Sequence, residues 1–318
     1  MKSPADRKLA LIIAVLMLVG VIMVYSATSI MCARDESIGG DQSFYLKKEL
    51  FRVAVAVAGL IAASRVDYRK YRRFSWAILA ASVCLLVVTA IPSLGGAGAK
   101  GANRWIQYGS AQIQPSELVK LSLIIFLADY LARKSEYLRD FWRGFIPAAL
   151  TVGAVVVFIA SQPNYGMAVA ISLVAVVMFF VAGVPVRSIM YISLPAIPVL
   201  TYAIMNSAHA QQRVMTFLGH GDEMAESFQI NQSLIAIGTG GILGRGIGNS
   251  VQKFFFIPEI HTDFIFAVIG EEMGFIGATA ILLLFMLFAW RGIKIAMRAP
   301  DTFGQNLALG ISAMIFVF

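Results

Sequence analysis

Charge is scarce in this chain. Only 14% of its 318 residues are Asp, Glu, Lys or Arg, against roughly a quarter in a soluble domain. The two cysteines, Cys32 and Cys84, are too few for a disulfide framework. The three histidines, His209, His220 and His261, lack the HExxH spacing of a helix-borne zinc site. The glycine-rich stretch "GTGGILGRGIGN" lacks the GK[ST] ending of a P-loop. No internal repeat is strong enough to indicate inverted transporter halves.

What remains is apolar. Hydrophobic residues make up 58% of the chain, and mean hydropathy is +0.76. Several uncharged runs approach or exceed the ~18 residues that cross a bilayer. A single buried core has no room for so many apolar helices, so the chain reads as an all-α polytopic membrane protein. The first run follows Lys2, Arg7 and Lys8 but is too long for a signal peptide, and further runs follow it. Spans are expected at 9–27, 46–63, 74–91, 114–132, 146–161, 166–184, 188–205, 263–289 and 303–318. The last is short and ends without a flank, so it is expected to be incomplete.

Lysine and arginine set the orientation. Strict alternation puts Lys2, Arg7, Lys8, Arg65, Arg69, Lys70, Arg72, Arg73, Arg133, Lys134, Arg139, Arg143, Arg187, Arg291, Lys294 and Arg298 on one side. These are well over half of the 26 basic residues. That side, with the N-terminus, is expected to be cytoplasmic. The net charge of +8 is then a topology signal and does not point to nucleic acid.

The polar motifs fall on the opposite, extracytoplasmic side: loop 92–113, the turn "SQPNYG" and the long loop 206–262. That last loop is about ten times a typical connection. It is rich in Ile, Leu and Phe, so it is expected to fold against the membrane surface. Its glycines either let backbone N–H groups approach a lipid-linked pyrophosphate or form a string of turns. Both readings are open. For His209 and His220, local hydrogen bonding is the favoured reading.

Gln114-Pro115 reads as a helix start, because a proline in the first turn loses no hydrogen bond. Glu117 then lies near the positive end of the helix dipole. Lys120, three residues on, shares its face. Either the two satisfy each other, or a cation, Lys120 or Arg104, meets an anionic headgroup from outside. Arg213 alone reads as an interfacial arginine.

The stretch "FFFIPEIHTDFIFAVIGEEMGF" carries Glu259, His261, Asp263, Glu271 and Glu272 among apolar residues. A helix from Pro258 would place Glu259 and Asp263 on one face. Glu271 would lie about 12 Å deeper, with Glu272 pointing to the opposite side. This is no close acid–base pair. Spacing favours Asp263 as a helix-end residue over a lone base at the lip of a cavity, with the two glutamates structuring the interior.

The motifs "VYSAT", "NRWI…QPSELVKLS", "QQRV", "NQSLIAIGTGGILGRGIGNSVQK" and "HTDFIFAVIGEE" together resemble the shape, elongation, division and sporulation (SEDS) family of FtsW, RodA and SpoVE. "QSLIAIG" and "GIGNSVQK" are more similar to the FtsW and SpoVE branch. The resemblance runs from the first span to Phe318 and implies ten spans in a single SEDS-type domain, 1–318, incomplete at its C-terminus. It implies a peptidoglycan glycosyltransferase that polymerises lipid II outside the bacterial cytoplasmic membrane. It matches the family's essential aspartate to Asp263, and its basic residues to Arg104, Lys120 and Arg213. Gln114, Glu117, His261 and Glu259 lie in the same motifs and are expected to contact substrate. A divalent cation, Mg²⁺ or Mn²⁺, is expected from the same resemblance. So are a class B penicillin-binding protein transpeptidase and other division-complex membrane proteins as partners. Two positions depart from the family pattern. Asn164 stands where an aspartate is common, and Phe255 where some division-type members carry an acidic residue. A lipid II flippase and a non-catalytic scaffold are the alternatives.

Overall fold

The computed structural model describes residues 6–34, 40–89, 105–108, 111–162, 164–206, 211, 214–215, 225–251 and 264–318. In chain order the helices are α1 (Arg7–Arg34), α2 (Phe44–Arg65), α3 (Tyr68–Arg73) and α4 (Ser75–Thr89). Next come α5 (Pro115–Arg133), α6 (Ile146–Ser161), α7 (Tyr165–Val181) and α8 (Val186–Met205). Then follow α9 (Ala225–Gly240), α10 (Ile265–Met297) and α11 (Thr302–Val317). One feature departs from the expected all-α class. A short antiparallel hairpin pairs β1 (Ile106–Tyr108) with β2 (Ala111–Ile113), with Gln107 opposite Gln112.

Each expected span coincides with a helix. Arg7–Ala33, Phe141–Ser161 and Ile265–Met297 are long and apolar enough to cross a bilayer, while Ser75–Thr89, Tyr165–Val181 and Thr302–Val317 are apolar but shorter. Helix α9 lies inside the long loop and was not foreseen. It reads "AESFQINQSLIAIGTG", too mixed in polarity to announce itself as a span.

The chain divides into two compact units: Met1–Arg65 with Val199–Phe288, and Val66–Pro198 with Ala289–Phe318. The second unit is built around α5, which packs against α4, α6, α7 and α11. Val119, Leu123, Phe126 and Leu127 of α5 are buried at its centre. Gly310 lets α11 close onto Ile124 and Met178. Several polar groups inside this unit are bonded to one another, whereas the buried Tyr130 hydroxyl has no hydrogen-bond partner among the described residues. Asp129, 2% exposed, accepts from Ser75 Oγ (2.6 Å), Arg72 Nε (3.2 Å) and Arg133 Nε (2.7 Å). Ser82 and Ser122 share a 2.6 Å hydrogen bond. Gln162 donates to Thr89 Oγ1 at 3.0 Å and to the Leu86 carbonyl at 3.2 Å. In an apolar surrounding an unpaired donor costs several kcal/mol, so these bonds tie the helices together in one register.

In the first unit α1 packs along α2. Met23 and Ala27 of α1 share an apolar cluster with Val268, Ile269 and Ile281 of α10. Helix α10 was expected to be continuous, but it is broken at Gly274, whose φ of 66° and ψ of −167° lie outside the helical region. At the break the backbone exchanges partners. The N–H groups of Phe275 and Ile276, which an unbroken helix would direct to the carbonyls of Glu271 and Glu272, donate to Gly241 (2.9 Å) and Ile242 (3.2 Å). The freed carbonyls of Glu271 and Glu272 accept from Arg245 (3.0 Å) and Gly246 (2.9 Å). The glycine-rich turn after α9 is therefore spliced into the gap in α10. Residues 275–297 beyond the break still span about 35 Å, enough for a hydrocarbon core of about 30 Å.

Glycine is required where the two backbones meet. A Cβ at Gly274 would collide with the Gly244 nitrogen and the Ile242 carbonyl, and one at Gly244 with the Glu272 carbonyl. Gly274→Ala is expected to lower the unfolding midpoint of the solubilised protein, by about 2 kcal/mol or more from backbone strain alone. Gly153→Ala, with open space around it, should leave the midpoint unchanged or raise it. Thermal unfolding of both variants in one detergent checks this.

At one end of the second unit Asp301 accepts from Tyr68 Oη (2.6 Å), the Gly304 N–H (2.7 Å) and Arg69 Nε (3.4 Å). Burial alone would raise the Asp301 carboxyl, but these donors reverse it and hold it below 3.8. A depressed folded value stabilises the fold above the unfolded pKa, and the contribution is lost as pH falls through the folded pKa. Asp301→Asn should therefore lower stability most at neutral pH, where the carboxylate is charged, and least well below about pH 4, which flattens the acid limb of the measured stability–pH profile.

Candidate functional site

The hairpin delivers the chain to α5. Gln114 caps that helix in an extended conformation (φ −97°, ψ 106°), Pro115 occupies the first turn, and Glu117 is the acidic residue there. This is the helix start expected from Gln114-Pro115. Lys120 Nζ lies 2.7 Å from Glu117 Oε2. The pair is lopsided, with the Lys120 side chain 10% exposed and that of Glu117 52% exposed. The ammonium also sits 3.8 Å from the centroid of the Phe318 ring, within cation–π range. An apolar cleft beside it is lined by Leu123 and Ile124 of α5, Ile171 and Val174 of α7, and Met314 of α11. Glu117 and Phe318 thus hold a cation near the N-terminal end of α5, over an apolar wall. Such a group can offset a negative charge presented beside an apolar chain.

The second constellation lies in the first unit, around the broken helix. Glu271 and Glu272 are 0% and 1% exposed. Glu271 Oε1 accepts from Val251 N–H (2.9 Å) and Arg245 Nη1 (3.3 Å), and its Oε2 from Ser250 Oγ (2.5 Å). Ser26 Oγ of α1 lies 2.7 and 2.8 Å from the two Glu272 oxygens, and Ser250 N–H lies 3.3 Å from Oε1. Helical spacing sends these side chains apart, yet one short segment, 245–251, reaches both. The expectation that they structure the interior holds. Sequence reasoning did not foresee Ser26, Arg245 and Ser250. Their signal was a hydroxyl in an apolar first helix and a lone arginine among glycines.

Gln114, Glu117 and Lys120 belong to the α5 site, which brings Glu117 and Lys120 together. Asp263, Glu259, His261, Arg104 and Arg213 lie outside the described residues, as do His209, His220 and Phe255. Asn164 precedes α7 and makes no side-chain cap. Its amide approaches Met167 Sδ at 3.8 Å.

Among the described residues no group of three or more His, Cys, Asp or Glu side chains could hold a metal ion. The two buried glutamates are the closest approach to one. Ser26, Arg245, Ser250 and Val251 already donate to these carboxylates, so this donor set does not fit a divalent cation.

The family described as "Cell cycle protein", FtsW/RodA/SpoVE, matches residues 7–318. The chain belongs to this family. It is 37% identical over 311 residues to the probable peptidoglycan glycosyltransferase FtsW of Geobacter sulfurreducens strain PCA, covering 98% of this chain and 82% of that one. It is 38% identical over 317 residues to the stage V sporulation protein E of Bacillus subtilis, covering 99% and 86%. Solved structures share the fold. A chain from a peptidoglycan synthase complex superimposes with a TM-score of 0.75 at 23% identity, covering 98% of this chain and 84% of that chain. The rod shape determining protein RodA of Thermus thermophilus gives 0.64 at 23% identity, covering 97% and 81%. Family membership and the apolar helices together make this a membrane protein.

The lopsided exposure of the Glu117–Lys120 pair predicts an asymmetry. Glu117→Gln strands a mostly buried cation, whereas Lys120→Met leaves a half-exposed carboxylate that water can solvate. Glu117→Gln should cost on the order of 1–2 kcal/mol, below the cost of breaking a fully buried pair because Glu117 meets solvent. Lys120→Met should be close to neutral for stability. Unfolding midpoints of the two variants test the order.

Proposed function

We propose that this chain is a peptidoglycan glycosyltransferase that polymerises lipid II into glycan strands at the outer face of the bacterial cytoplasmic membrane, in septal wall synthesis. The observation that carries the reading is family membership along the whole described chain, together with a cation held by Glu117 near the N-terminal end of α5. The named function of the FtsW relatives supports it.

In this reading the 4-hydroxyl of the acceptor GlcNAc attacks C1 of the donor MurNAc. The new C1–O bond forms as the C1–O bond to pyrophosphate breaks, with inversion, and undecaprenyl pyrophosphate leaves. Asp263 takes the hydroxyl proton, or orients the hydroxyl, as a general base. Arg104, Lys120 and Arg213 offset the charge that develops on the pyrophosphate. Glu117 pairs with Lys120 and fixes its direction, and Gln114, Glu259 and His261 contact the sugars. A Mg²⁺ or Mn²⁺ ion sharing this work would take ligands outside the described residues, so no step is routed through one. A lipid-linked donor suits a cation set beside an apolar wall, because the tail remains in the bilayer while the sugar is outside.

The same reading puts the N-terminus in the cytoplasm, with the ten-span plan that the family resemblance implies and 206–262 facing outward. Its partner is a class B penicillin-binding protein transpeptidase, alongside other division-complex membrane proteins. The chain from a peptidoglycan synthase complex, described by its coordination of polymerization and crosslinking, supports that assignment.

Full-length protein with its transpeptidase should lengthen glycan strands from purified lipid II, and Asp263→Asn should abolish this without changing the unfolding midpoint. Strand growth by a well-folded Asn variant would remove Asp263 as the base. Movement of labelled lipid II across vesicles with no polymer formed would identify a flippase instead. Recruitment of the transpeptidase with neither activity would identify a scaffold.

A further inference from the structure

The end of the second unit opposite Lys120 carries an arginine cluster that the transfer reaction does not use, so its role is independent of the glycosyltransferase reading. Lys120 lies near the start of α5 and Arg133 is its last residue, about 20 Å away along the axis. At that far end α3 packs against α4, α5 and α11. Its six residues, "YRKYRR", divide between two faces. Tyr68 and Tyr71 pack against the apolar core of the unit, and the Tyr68 ring stacks on that of Phe303 at 6.1 Å. Arg69, Lys70 and Arg73 are exposed. Arg73 follows Arg69 by four residues and Lys70 by three, so like charges face one another, which on its own disfavours the helix.

Carboxylates hold the arginines from behind. Arg72 and Arg133 both donate Nε to Asp129 Oδ1, at 3.2 and 2.7 Å. Ser75 Oγ fixes the other Asp129 oxygen at 2.6 Å. Arg69 Nε lies 3.4 Å from Asp301 Oδ2. A guanidinium carries five donors, and in each of these pairs the carboxylate takes the one on Nε. The Nη donors of Arg72 and Arg133 are thus set side by side, in the fork geometry that matches phosphate oxygens. Lys70 and Arg73 have no carboxylate partner among the described residues. Five cations, Arg69, Lys70, Arg72, Arg73 and Arg133, face three carboxylates, Asp67, Asp129 and Asp301. The cluster keeps a positive excess that only an outside anion balances.

The surroundings decide the kind of anion. Phe74 and Trp76, next in the chain, are 56% and 61% exposed, and α4 beyond them carries no charged residue. In a membrane protein such aromatic side chains sit at headgroup level, where neighbouring cations meet anionic lipid. We propose that α3 and the end of α5 form a binding site for an anionic phospholipid. Arg72 and Arg133 fork its phosphate, Lys70 and Arg73 add charge, and its acyl chains lie along Phe74 and Trp76. The lipid fastens α3 from outside as Asp129 and Asp301 fasten it from inside. A soluble phosphate would satisfy the guanidinium groups but leave the two aromatic side chains without a partner.

The test uses the full-length protein in neutral detergent, with dioctanoyl phosphatidylglycerol, dioctanoyl phosphatidylcholine and inorganic phosphate as probes. Unfolding midpoints against probe concentration give an apparent affinity, and native mass spectrometry counts retained lipid. Phosphatidylglycerol should raise the midpoint saturably and be retained. Phosphatidylcholine, whose phosphate is balanced by its own cation, and inorganic phosphate should act about tenfold more weakly or less. Lys70→Gln with Arg73→Gln should weaken phosphatidylglycerol binding by about tenfold or more. Arg133→Lys, which keeps the charge and loses the fork, should weaken it by about threefold. Arg7→Gln with Lys8→Gln removes the same charge at the start of α1, on the side of the membrane where strict alternation also puts α3, and should leave binding within about twofold. An equal loss in that last variant would identify diffuse surface charge and overturn the site. So would an equal response to phosphatidylcholine, or unchanged affinity in the Lys70/Arg73 and Arg133 variants. An equal rise with inorganic phosphate alone would overturn the lipid and identify a free-anion site instead.

Discussion

The exchange of hydrogen bonds at Gly274 is the constraint on which the first unit depends. A helix surrounded by apolar groups cannot leave carbonyls and N–H groups unpaired. Once Gly274 turns out of the helical region, two donors and two acceptors need partners from elsewhere. The turn after α9 supplies all four. Each feature of the turn follows from that. Its glycines admit a backbone at a distance no Cβ allows, α9 delivers it, and the burial of Glu271 and Glu272 lets their side chains close over it. Had the break been lined by waters or hydroxyls, neither the glycines nor the paired glutamates would be needed.

The second unit meets the same requirement differently. The helices packed against α5 carry no such break, so their backbone groups are satisfied within each helix and side chains carry the polar contacts between them. Asp129 collects one hydroxyl and two guanidinium groups. Both arginines remain substantially exposed, at 42% and 55%, so their long stems carry charge from the boundary to a buried acceptor. Lys120 inverts this arrangement. There the cation is the buried member and the carboxylate the exposed one, which leaves the positive charge facing an apolar cleft instead of water. Two ion pairs in one helix thus have opposite polarity of burial, and only the second presents a charge to a hydrophobic wall.

Much of this was legible from the sequence, for identifiable reasons. The long helices were legible because apolar runs are long and most lysines and arginines lie at their flanks. The start of α5 was legible because proline fixes it locally. The Glu117–Lys120 contact was legible because i and i+3 share a helical face. The break at Gly274 was not. Glycine inside an apolar run is ordinary in a membrane helix, and what forces this one out is a turn about thirty residues earlier in the chain. Ser26, Ser250 and Arg245 were illegible for the same reason, since each acts across a separation that no local period encodes. The hairpin before α5 was hidden by its size, with three residues in each strand.

These separations change what an ionisable residue within a span signifies. Asp, Glu and Lys at membrane depth mark functional pathways by default, and by that rule Asp129, Glu271 and Glu272 would each suggest a route for a substrate or a proton. Each is instead occupied by donors from its own unit. A carboxylate that already accepts two or three hydrogen bonds has little capacity left for a migrating group, and opening it would expose a buried charge. A transport route needs groups that exchange partners, whereas a transferase that acts at the surface needs its interior held still. The saturation of these carboxylates therefore favours chemistry at the membrane face over passage through it. It also makes the most charged part of an apolar segment, Glu271-Glu272, a buried pair that structures the interior, as its spacing led us to expect.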